Sequence, residues 1–328
     1  MMSNDGMDKV IEAFGTRDNF LITAHVNPEG DSIGSQLAVY RVLEKLGKKA
    51  VMVDHDKVPD NLKFLPGSEL VAGEIPGGIP VNTAIVLDCP VAERAGSVYK
   101  NLEEAAFVIN IDHHVSNEFF GDINWVEPDS SSVGEMIFNL TRELGIGMDK
   151  DMAAALYAAI VTDTGMFNYS NTSKETHLVA GELIGNGADP GKIHREIYEK
   201  KSVPDIRLLG MALTTLCVEA DGRLAHMSLT RQMYREEGVE RVSTDEFINF
   251  PRSIKGVEVA VFFKEIDDAL KKINVSFRSS GTIDVNKIAS RFGGGGHPQA
   301  AGCLFEGSLE GARVQVLAEV KKALGYGI

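Results

Sequence analysis

Three short apolar runs in the first third of the chain each end at side chains that bind divalent metals. The residues that follow the runs 19–24, 84–87 and 107–111 are His25, Asp88 and the triplet Asp112, His113 and His114. Runs of this length are typical of buried strands in a parallel sheet. The functional crevice of such a sheet lies beyond the carboxyl ends of its strands, so these side chains are expected to share one edge. The sequence therefore predicts a polynuclear metal site.

The loop after the first run carries three ligand-type side chains close together. His25, Glu29 and Asp31 lie in a segment that Pro28 and Gly30 force into a turn. Imidazole nitrogen and carboxylate oxygen suit Mn²⁺ or a similar cation, and the absence of cysteine from the loop argues against structural zinc.

The remaining candidate ligands come from separate parts of the chain. Asp88 is the candidate bridge between two ions, His113 comes from the third run, and Asp163 lies where a buried helix ends in a turn. Taken singly, each has an ordinary explanation, because Asp after a strand is often a helix N-cap and Asp163 alone is more typical of a turn. Those explanations would have to hold independently at every position. The adjacent histidines, moreover, carry a desolvation cost that favours a functional role.

A glycine-rich segment near the C-terminus is the second place where chemistry is expected. Four consecutive glycines, among them Gly295 and Gly296, are followed at once by His297. Such a backbone can approach a ligand closely and point several N–H groups at one anion. Upstream, Arg278 ends a predicted strand and offers a guanidinium for bidentate contact with phosphate. No Lys-Ser/Thr pair follows the glycines, so the segment predicts a phosphate site that is not a P-loop.

Two α/β domains are expected to position these side chains. Residues 8–165 alternate strand-like and helix-like patterns, which favours a doubly wound, mostly parallel sheet. Its predicted helices are 32–46, 131–145, 151–161 and 173–185, the last opened by a capping box from Thr172 to Glu175. A break at 187–191, a charged helix 193–201 and Pro204 indicate a connector. The proposed division is a metal-binding catalytic domain 1–195, a linker 196–210 and a smaller substrate-binding domain 211–328.

In the second domain, the expected strands are 224–229, 257–266 and 272–278, and the expected helices are 284–291 and 308–324. The active site is expected in the cleft between the two domains.

Composition limits the classes of partner and compartment. The 328 residues carry a formal net charge of −14, which argues against long duplex nucleic acid, because duplex binding depends on neutralising many phosphates. A small phosphorylated ligand is compatible with that net charge, because metal ions and a few cationic side chains can neutralise the charge of the ligand locally. The three cysteines show no paired spacing, and neither a signal peptide nor a membrane span is expected. A cytoplasmic enzyme is the expectation.

These motifs, in this order, resemble the DHH phosphoesterase family over nearly the whole chain. The triplet that names the family stands at Asp112–His114, the first motif resembles residues 25–35, and the next resembles Leu87-Asp88. Asp163 resembles the aspartate of a further motif of the family. The segment 293–302 resembles the glycine-histidine motif of the DHH-associated C-terminal domain. In its length and in this last motif, the chain resembles the branch of the family that cleaves very short RNA and dephosphorylates 3′-phosphoadenosine 5′-phosphate.

The resemblance implies a role for each candidate residue. It implies one Mn²⁺ on His25, Glu29 and Asp88, and a second on Asp31, Asp88, His113 and Asp163. It also implies that His114 contacts the scissile phosphate and that Arg278 and His297 bind the far end of the substrate. Asp112 is assigned to orienting a ligating imidazole. Two positions depart from the family pattern: Glu29 replaces the usual Asp, and Cys89 replaces a small hydroxyl residue.

The function expected on this basis is two-metal hydrolysis of oligonucleotides a few residues long to mononucleotides, with water attacking phosphorus in line. Mn²⁺ is the expected ion, with Mg²⁺ or Co²⁺ as substitutes, and a homodimer is the candidate assembly. One alternative is a phosphodiesterase for cyclic or linear dinucleotide signals, and another is a catalytically silent nucleotide-binding regulator. An inorganic pyrophosphatase is disfavoured because the glycine-histidine segment is present.

Overall fold

A computed structural model describes residues 5–77, 80–100, 107–239, 244, 246–267 and 271–326 of the chain. The chain forms two compact units, Met1–Lys200 and Lys201–Ile328. The division between them falls inside the segment 196–210 that the sequence proposes as a linker. Among the described residues, no helix has the length and apolar character needed to cross a bilayer.

The first unit is built on a parallel sheet that is buried on both faces. Its described strands are Phe20–Ala24 (β1), Ala50–Val53 (β2), Val71–Ala72 (β3), Thr83–Leu87 (β4), Val108–Asp112 (β5) and Ile123–Val126 (β6). They lie in the order β3-β2-β1-β4-β5-β6, and every neighbouring pair is parallel. Phe20 and Ile22 face one apolar core and Leu21 faces another, which explains why the run is apolar at every position. The predicted doubly wound α/β fold is confirmed.

Small residues allow the helices of this unit to pack closely. The described helices are Asp5–Thr16, Gly30–Lys45, Val133–Glu143, Lys150–Asp163, Lys174–Gly185 and Pro190–Tyr198, with 3₁₀ segments at Ser68–Leu70 and Ala92–Val98. A Cβ atom at Gly34 would lie 2.3 Å from the carbonyl oxygen of Ala155, and one at Gly30 would lie 2.3 Å from Oγ1 of Thr162. Glycine at both positions therefore lets the helices Gly30–Lys45 and Lys150–Asp163 approach each other to backbone contact.

The second unit is a mixed sheet with helices. Its described strands are Cys217–Glu219 (β7), Leu224–Leu229 (β8), Val259–Asp267 (β9), Lys272–Ser279 (β10), Gly295–His297 (β11) and Ala300–Glu306 (β12). The order is β11-β12-β10-β9-β8-β7, and only the β8–β9 pair is parallel among these strands. The described helices are Val203–Thr214, Arg231–Glu236, Asn249–Arg252, Val285–Ser290 and Leu309–Ala323, with a 3₁₀ segment at Ala220–Gly222.

Two helix starts differ from the sequence prediction. The predicted capping box at Thr172 and Glu175 is wrong by one position. Ser173 caps the helix instead, because its hydroxyl accepts from the backbone N–H of Thr176 and Thr176 Oγ1 accepts from the N–H of Ser173, both at 3.1 Å.

The break predicted at 187–191 contains another helix start. Asp189 accepts from the N–H of Lys192, and Pro190 occupies the first turn, where its missing N–H costs nothing. The helix that follows is therefore Pro190–Tyr198 rather than 193–201.

Candidate metal centre and active site

The metal-ligand candidates of the first unit lie where the strand order of the parallel sheet reverses. β1 and β4 are neighbours, while the chain continues from β1 to β2 on one side and from β4 to β5 on the other. A crevice opens at such a reversal, beyond the carboxyl ends of the strands. His25 directly follows β1 and Asp88 directly follows β4. Asp88 adopts a left-handed backbone conformation with φ 54°, which most residues adopt only at a cost in free energy.

Asp88 is the centre of the arrangement, and it is buried. One of its carboxylate oxygens lies 3.2 Å from Nε2 of His25, and the other lies 3.7 Å from Nε2 of His113 and 3.6 Å from Nδ1 of His114. Ligand atoms of His25, Glu29 and Asp88 fall within 4.8 Å of one another, and so do ligand atoms of Asp31, Asp88 and His113. Asp88 is therefore shared by these two groups of ligand-type atoms, and it also falls in a third with Asp112 and His114.

His113 faces three carboxylates at distances that suit coordination better than hydrogen bonding. Its Nε2 lies 3.8 Å from Asp31, 3.7 Å from Asp88 and 3.6 Å from Asp163. Direct hydrogen bonds between such atoms are about 2.7–3.2 Å long. Ligands about 2.1 Å from one ion are themselves roughly 3.0–3.4 Å apart, so a small inward movement would complete a coordination sphere. This spacing fits a cation among the four side chains.

The hydrogen bonds of His25 and His113 make Nε2 the ligand atom in both. Nδ1 of His25 lies 2.7 Å from the carbonyl oxygen of Val26, and Nδ1 of His113 lies 3.1 Å from that of Ser130. A carbonyl only accepts, so each Nδ1 carries a proton, and Nε2 is the nitrogen whose lone pair would reach a metal ion once the ion displaced the proton that Nε2 carries towards the carboxylates. A backbone carbonyl on the other ring nitrogen is the usual partner of a metal-ligating histidine.

Asp31 ties the site to a neighbouring helix. Its carboxylate accepts from the backbone N–H groups of Val133 and Gly134, at 2.7 and 2.8 Å, and from the Ser35 hydroxyl at 3.0 Å. Val133 and Gly134 begin the helix Val133–Glu143, where backbone N–H groups lack partners within the helix. The Asp31 carboxylate therefore satisfies the first turn of a helix distant in sequence, whose own N-cap residue is Ser132.

The charges at the site are crowded. Burial and the charge of Asp88 raise the pKa of Asp31 to about 7, and burial raises the pKa of Asp163 well above its usual value. Burial lowers the pKa of His25, but contact with Asp88 outweighs this effect and raises that pKa to about 9. Burial acts in the same direction on His113, and the charges of Asp163, Asp31 and Asp88 raise its pKa to about 9. The cluster therefore attracts positive charge, which divalent ions supply when they displace the imidazole protons.

Glu29 and Asp163 are the remaining two predicted metal ligands, and each lies at the end of a helix. Glu29 is exposed at the N-cap of the helix Gly30–Lys45, and Asp163 is the last residue of the helix Lys150–Asp163. The Asn171 amide donates to both the carboxylate and the carbonyl oxygen of Asp163, at 3.1 Å each. The Ser32 hydroxyl lies 3.0 Å from Nε2 of His25 and 3.3 Å from Asp88. Sequence reasoning missed Asn171 and Ser32, although Ser32 directly follows a predicted ligand.

Asp112 holds His114 and not a predicted metal ligand. Its carboxylate oxygen lies 2.7 Å from Nδ1 of His114, whereas His113 is held by a backbone carbonyl. The imidazole that Asp112 orients is therefore that of His114, which lies with Asp88 and Asp112 in a group of possible ligand atoms, and not that of His113. Burial raises the pKa of Asp112, but the charge and hydrogen bond of His114 outweigh this effect, so the pKa lies below its usual value. Asp112 stays ionised and holds the His114 ring through Nδ1.

A chain of buried amides fixes Asp112 in turn. The Asn117 amide donates to Asp112 at 2.6 Å and to the side-chain oxygen of Asn110 at 2.7 Å. The Asn110 amide donates to the carbonyl oxygens of Val86 and Cys89, which flank Asp88. The network therefore connects the ends of β4 and β5. Asn117 carries no signal in the sequence beyond its place three residues after the histidine pair.

We expect Asn117→Ala to lower kcat about 10–100-fold with a smaller change in KM, because loss of such a supporting contact typically has this cost. Steady-state kinetics on a short oligonucleotide measure the split. Asn124→Ala is the matched control, because Asn124 closes a nearby turn through Gly121 and shows no bond to Asp112 among the described residues. Equal losses in both variants, or a change in KM alone, would contradict a positioning role for Asn117.

The glycine-histidine segment of the second unit is more ordered than an open loop. The N–H groups of Gly293 and Gly294 donate to the carbonyl oxygens of Ser290 and Ala289 and so close the preceding helix. These two glycines therefore do not point their N–H groups at an anion, contrary to the expectation for the whole run. Gly295, Gly296 and His297 form β11, whose outer edge meets no further strand among the described residues.

Arg278 and His297 lie in one row of the second sheet, since both pair with Ala300 of β12. The Arg278 guanidinium donates to the carbonyl oxygen of Phe277, and its buried Nε has no hydrogen-bond partner among the described residues. The side-chain oxygen of Asn286 is also buried without such a partner and lies 3.8 Å from where a Cβ of Gly295 would be. A buried polar atom without a partner costs about 1–3 kcal/mol, a cost that a bound water or ligand would offset. Sequence reasoning missed Asn286.

Comparison with known proteins agrees with this arrangement. The chain matches the profiles of "DHH family, N-terminal domain" over residues 19–160 and "DHHA1 domain" over residues 222–325. It is 34% identical over 304 residues to the bifunctional oligoribonuclease and PAP phosphatase of Thermus thermophilus, which covers 92% of this chain and 89% of that protein. The protein of the same description from Bacillus subtilis is 30% identical over 298 residues, or 90% of this chain and 91% of that protein.

A solved structure is similar along nearly the same length. The crystal structure of an exopolyphosphatase-related protein from Bacteroides fragilis superposes with a TM-score of 0.87 at 30% sequence identity, covering 98% of this chain and 96% of that one. The two-unit fold, the histidine-carboxylate cluster and the matched profiles lead to one assignment. The chain belongs to the DHH family of phosphoesterases, hydrolases of phosphate esters, and its second unit contains a DHHA1 domain.

Proposed function

We propose that the chain hydrolyses oligonucleotides a few residues long to mononucleotides and also dephosphorylates 3′-phosphoadenosine 5′-phosphate, using two divalent ions, preferably Mn²⁺. The observation that carries the proposal is the buried Asp88 carboxylate, which is shared by the group with His25 and Glu29 and the group with Asp31 and His113, near the carboxyl ends of β1, β4 and β5. The names of the similar proteins from Thermus thermophilus and Bacillus subtilis support the substrate class.

The proposed ligand sets share Asp88. His25, Glu29 and Asp88 would hold one ion, and Asp31, Asp88, His113 and Asp163 would hold the other. When bound, two divalent ions acidify water and neutralise charge on a phosphate, which is the chemistry that hydrolysis of a phosphate ester requires. The choice of Mn²⁺ over Mg²⁺ rests on the two imidazoles among otherwise oxygen donors.

His114 is the proposed catalytic contact to the scissile phosphate. It is slightly exposed while His113 is fully buried, and Asp112 fixes its ring through Nδ1. With Nδ1 bonded to an ionised carboxylate, Nε2 is the nitrogen proposed to stabilise charge on a phosphate oxygen as the transition state forms. Asp112 acts through His114, and Asn117 acts through Asp112.

The second unit is proposed to bind the far end of the substrate through Arg278, His297, Gly295 and Gly296. A guanidinium with a buried Nε and the open edge of β11 together offer donors to one phosphate. The negative net charge of the chain, −14, disfavours long polyanions away from this local cationic site. These residues would therefore favour short substrates.

We expect Arg278→Ala to raise KM about tenfold or more and to change kcat little, because the guanidinium binds ground state and transition state alike. Michaelis–Menten kinetics on a 5′-phosphorylated dinucleotide measure both constants. Arg291→Ala is the matched control, since Arg291 pairs with Glu319 on the surface of the same unit. A loss of kcat at unchanged KM in Arg278→Ala would contradict the proposed binding role.

A substrate panel with added Mn²⁺ tests the proposed function. The panel contains dinucleotides to pentanucleotides, 3′-phosphoadenosine 5′-phosphate, a cyclic dinucleotide and a long duplex, with Mg²⁺ and Co²⁺ in parallel. We expect mononucleotides from the short strands, inorganic phosphate from 3′-phosphoadenosine 5′-phosphate, and negligible cleavage of the duplex. Preferred cleavage of the cyclic dinucleotide would favour the signalling alternative. No metal-dependent release from any nucleotide would overturn the proposal in favour of a silent regulator.

A further inference from the structure

One face of the second sheet is covered fully by helices over β8 and β9 and less fully over β10, β12 and β11, where among the described helices the short segment Asn249–Arg252 lies beside β10. One core cluster joins β9, β10 and β12 to the helices Val285–Ser290 and Leu309–Ala323 on one side of the sheet. On the opposite side, a second cluster joins the helix Val203–Thr214 to β8 and β9 only. No buried residue of β10, β11 or β12 belongs to that second cluster. We call this less covered area, formed by β10, β12 and β11, the open half-face; its most exposed large hydrophobic side chain is Leu304.

Side-chain alternation identifies the residues of the open half-face. Along β10, the core-facing residues Ile273, Val275 and Phe277 alternate with half-buried ones. The residues that face the opposite side are Asn274, Ser276 and Arg278. Along β12, Ala301, Cys303 and Phe305 face the same core. The residues on the open side are Ala300, Gly302 and Leu304.

Cross-strand pairing arranges these residues in three rows of different chemistry. The first row contains Arg278, Ala300 and His297, the cationic row of the proposed phosphate site. The second row contains Ser276, Gly302 and Gly295, so its centre carries almost no side chain. The third row pairs Asn274 with Leu304, which is 47% exposed although it lies within a strand.

We propose that the open half-face binds the sugar and base of one further nucleotide, beyond the phosphate that Arg278 and His297 bind. This inference rests on the proposed function and specifies how a strand longer than two nucleotides is accommodated. Neighbouring rows on one face of a strand are about 7 Å apart, which is comparable with one step along a single-stranded nucleic acid. A sugar can lie over the second row because the glycines there leave room for it.

The third row supplies what a base requires. Leu304 offers an exposed apolar surface for the face of a base, and the Asn274 amide offers hydrogen-bonding groups to its edge. Lys264 of β9 pairs with Asn274 and adds positive charge beside this row. Charge complementarity and continuity with the proposed phosphate site therefore favour a single-stranded nucleotide chain over an apolar protein segment.

The test compares Leu304→Glu with Val314→Glu in the full chain. Val314 is 61% exposed and lies on the helix Leu309–Ala323, which covers the other side of the sheet, so the control adds the same charge elsewhere. Equilibrium binding of a fluorescent 5′-phosphorylated trinucleotide is measured by anisotropy in EDTA, where no turnover occurs. Competition by 3′-phosphoadenosine 5′-phosphate measures binding of a substrate too short to reach the third row.

We expect Leu304→Glu to weaken trinucleotide binding about tenfold and to leave 3′-phosphoadenosine 5′-phosphate binding unchanged, with Val314→Glu unchanged for both. Asn274→Ala should weaken trinucleotide binding in the same selective way. Parallel weakening of both ligands, or no weakening of either, would overturn the inference. Failure of the proposed function would instead appear as an absence of hydrolysis by the unaltered chain in Mn²⁺, which this binding measurement does not use.

Discussion

Asp88→Asn is expected to abolish turnover and metal binding together. The substitution preserves shape and removes a carboxylate that lies beside His25, His113 and His114 at once. Asparagine also tolerates the left-handed backbone at this position, so folding should be retained. We expect a loss in kcat/KM of more than about 10³-fold, which exceeds the cost of removing one hydrogen-bond donor from an active site.

Thermal unfolding with and without Mn²⁺ supplies a second measurement for this variant. Ligands that bind only the folded state raise the thermal midpoint, so Mn²⁺ should stabilise the unaltered chain and have little effect on Asp88→Asn. Asp8→Asn is the matched control, since Asp8 is exposed on the helix Asp5–Thr16. Normal activity, or an unchanged response to Mn²⁺, in Asp88→Asn would exclude Asp88 as the shared ligand.

Gly34→Ala is expected to destabilise the first unit and to disturb the metal site without touching a ligand. The added Cβ would lie 2.3 Å from the Ala155 carbonyl oxygen, a backbone atom that cannot move without the helix Lys150–Asp163. Forced separation of well-packed elements costs about 1–3 kcal/mol, which corresponds to a drop of roughly 2–12 °C in the thermal midpoint of a unit of this size. Because these helices carry Asp31 and Asp163, Mn²⁺ affinity should fall as well.

The control for Gly34→Ala is the same substitution at Gly181. This glycine lies in the helix Lys174–Gly185 with no atom within 4 Å of the added Cβ, so alanine should leave stability unchanged or raise it by about 0.5–1 kcal/mol. Differential scanning calorimetry of both variants gives the comparison. Equal midpoints for Gly34→Ala and the unaltered chain would show that the two helices have room to separate.

The sequence was most informative where apolar runs meet ligand residues. β1, β4 and β5 lie where those runs predict them, because strands buried on both faces are apolar at every position. The convergence of His25 and Asp88 follows from parallel order, which brings the ends of distant strands to one edge. No local sequence pattern predicts the order of the strands in the sheet. That order nevertheless places these two residues at the point where it reverses.

Supporting residues were the least predictable part of the site. Asn117 and Asn171 act through hydrogen bonds to Asp112 and Asp163, and an isolated asparagine in a loop is typical of turns throughout proteins. Helix starts were misplaced for a related reason, since Ser173 competes with its neighbour Thr172 as a cap and only tertiary contact decides. Thr176 of that cap also donates to the buried Glu135, a contact with no signature in the local sequence.

The backbone conformation at Asp88 limits which amino acids can occupy this position in any variant of the chain. A φ of 54° admits glycine, asparagine and aspartate at small cost and disfavours the remaining residues. A site that needs a negatively charged oxygen donor admits only aspartate and glutamate. Aspartate is the one amino acid that meets both requirements, so in a saturation library at codon 88 only the variant with aspartate should be active. Position 29 has an extended backbone, so aspartate and glutamate should be interchangeable there.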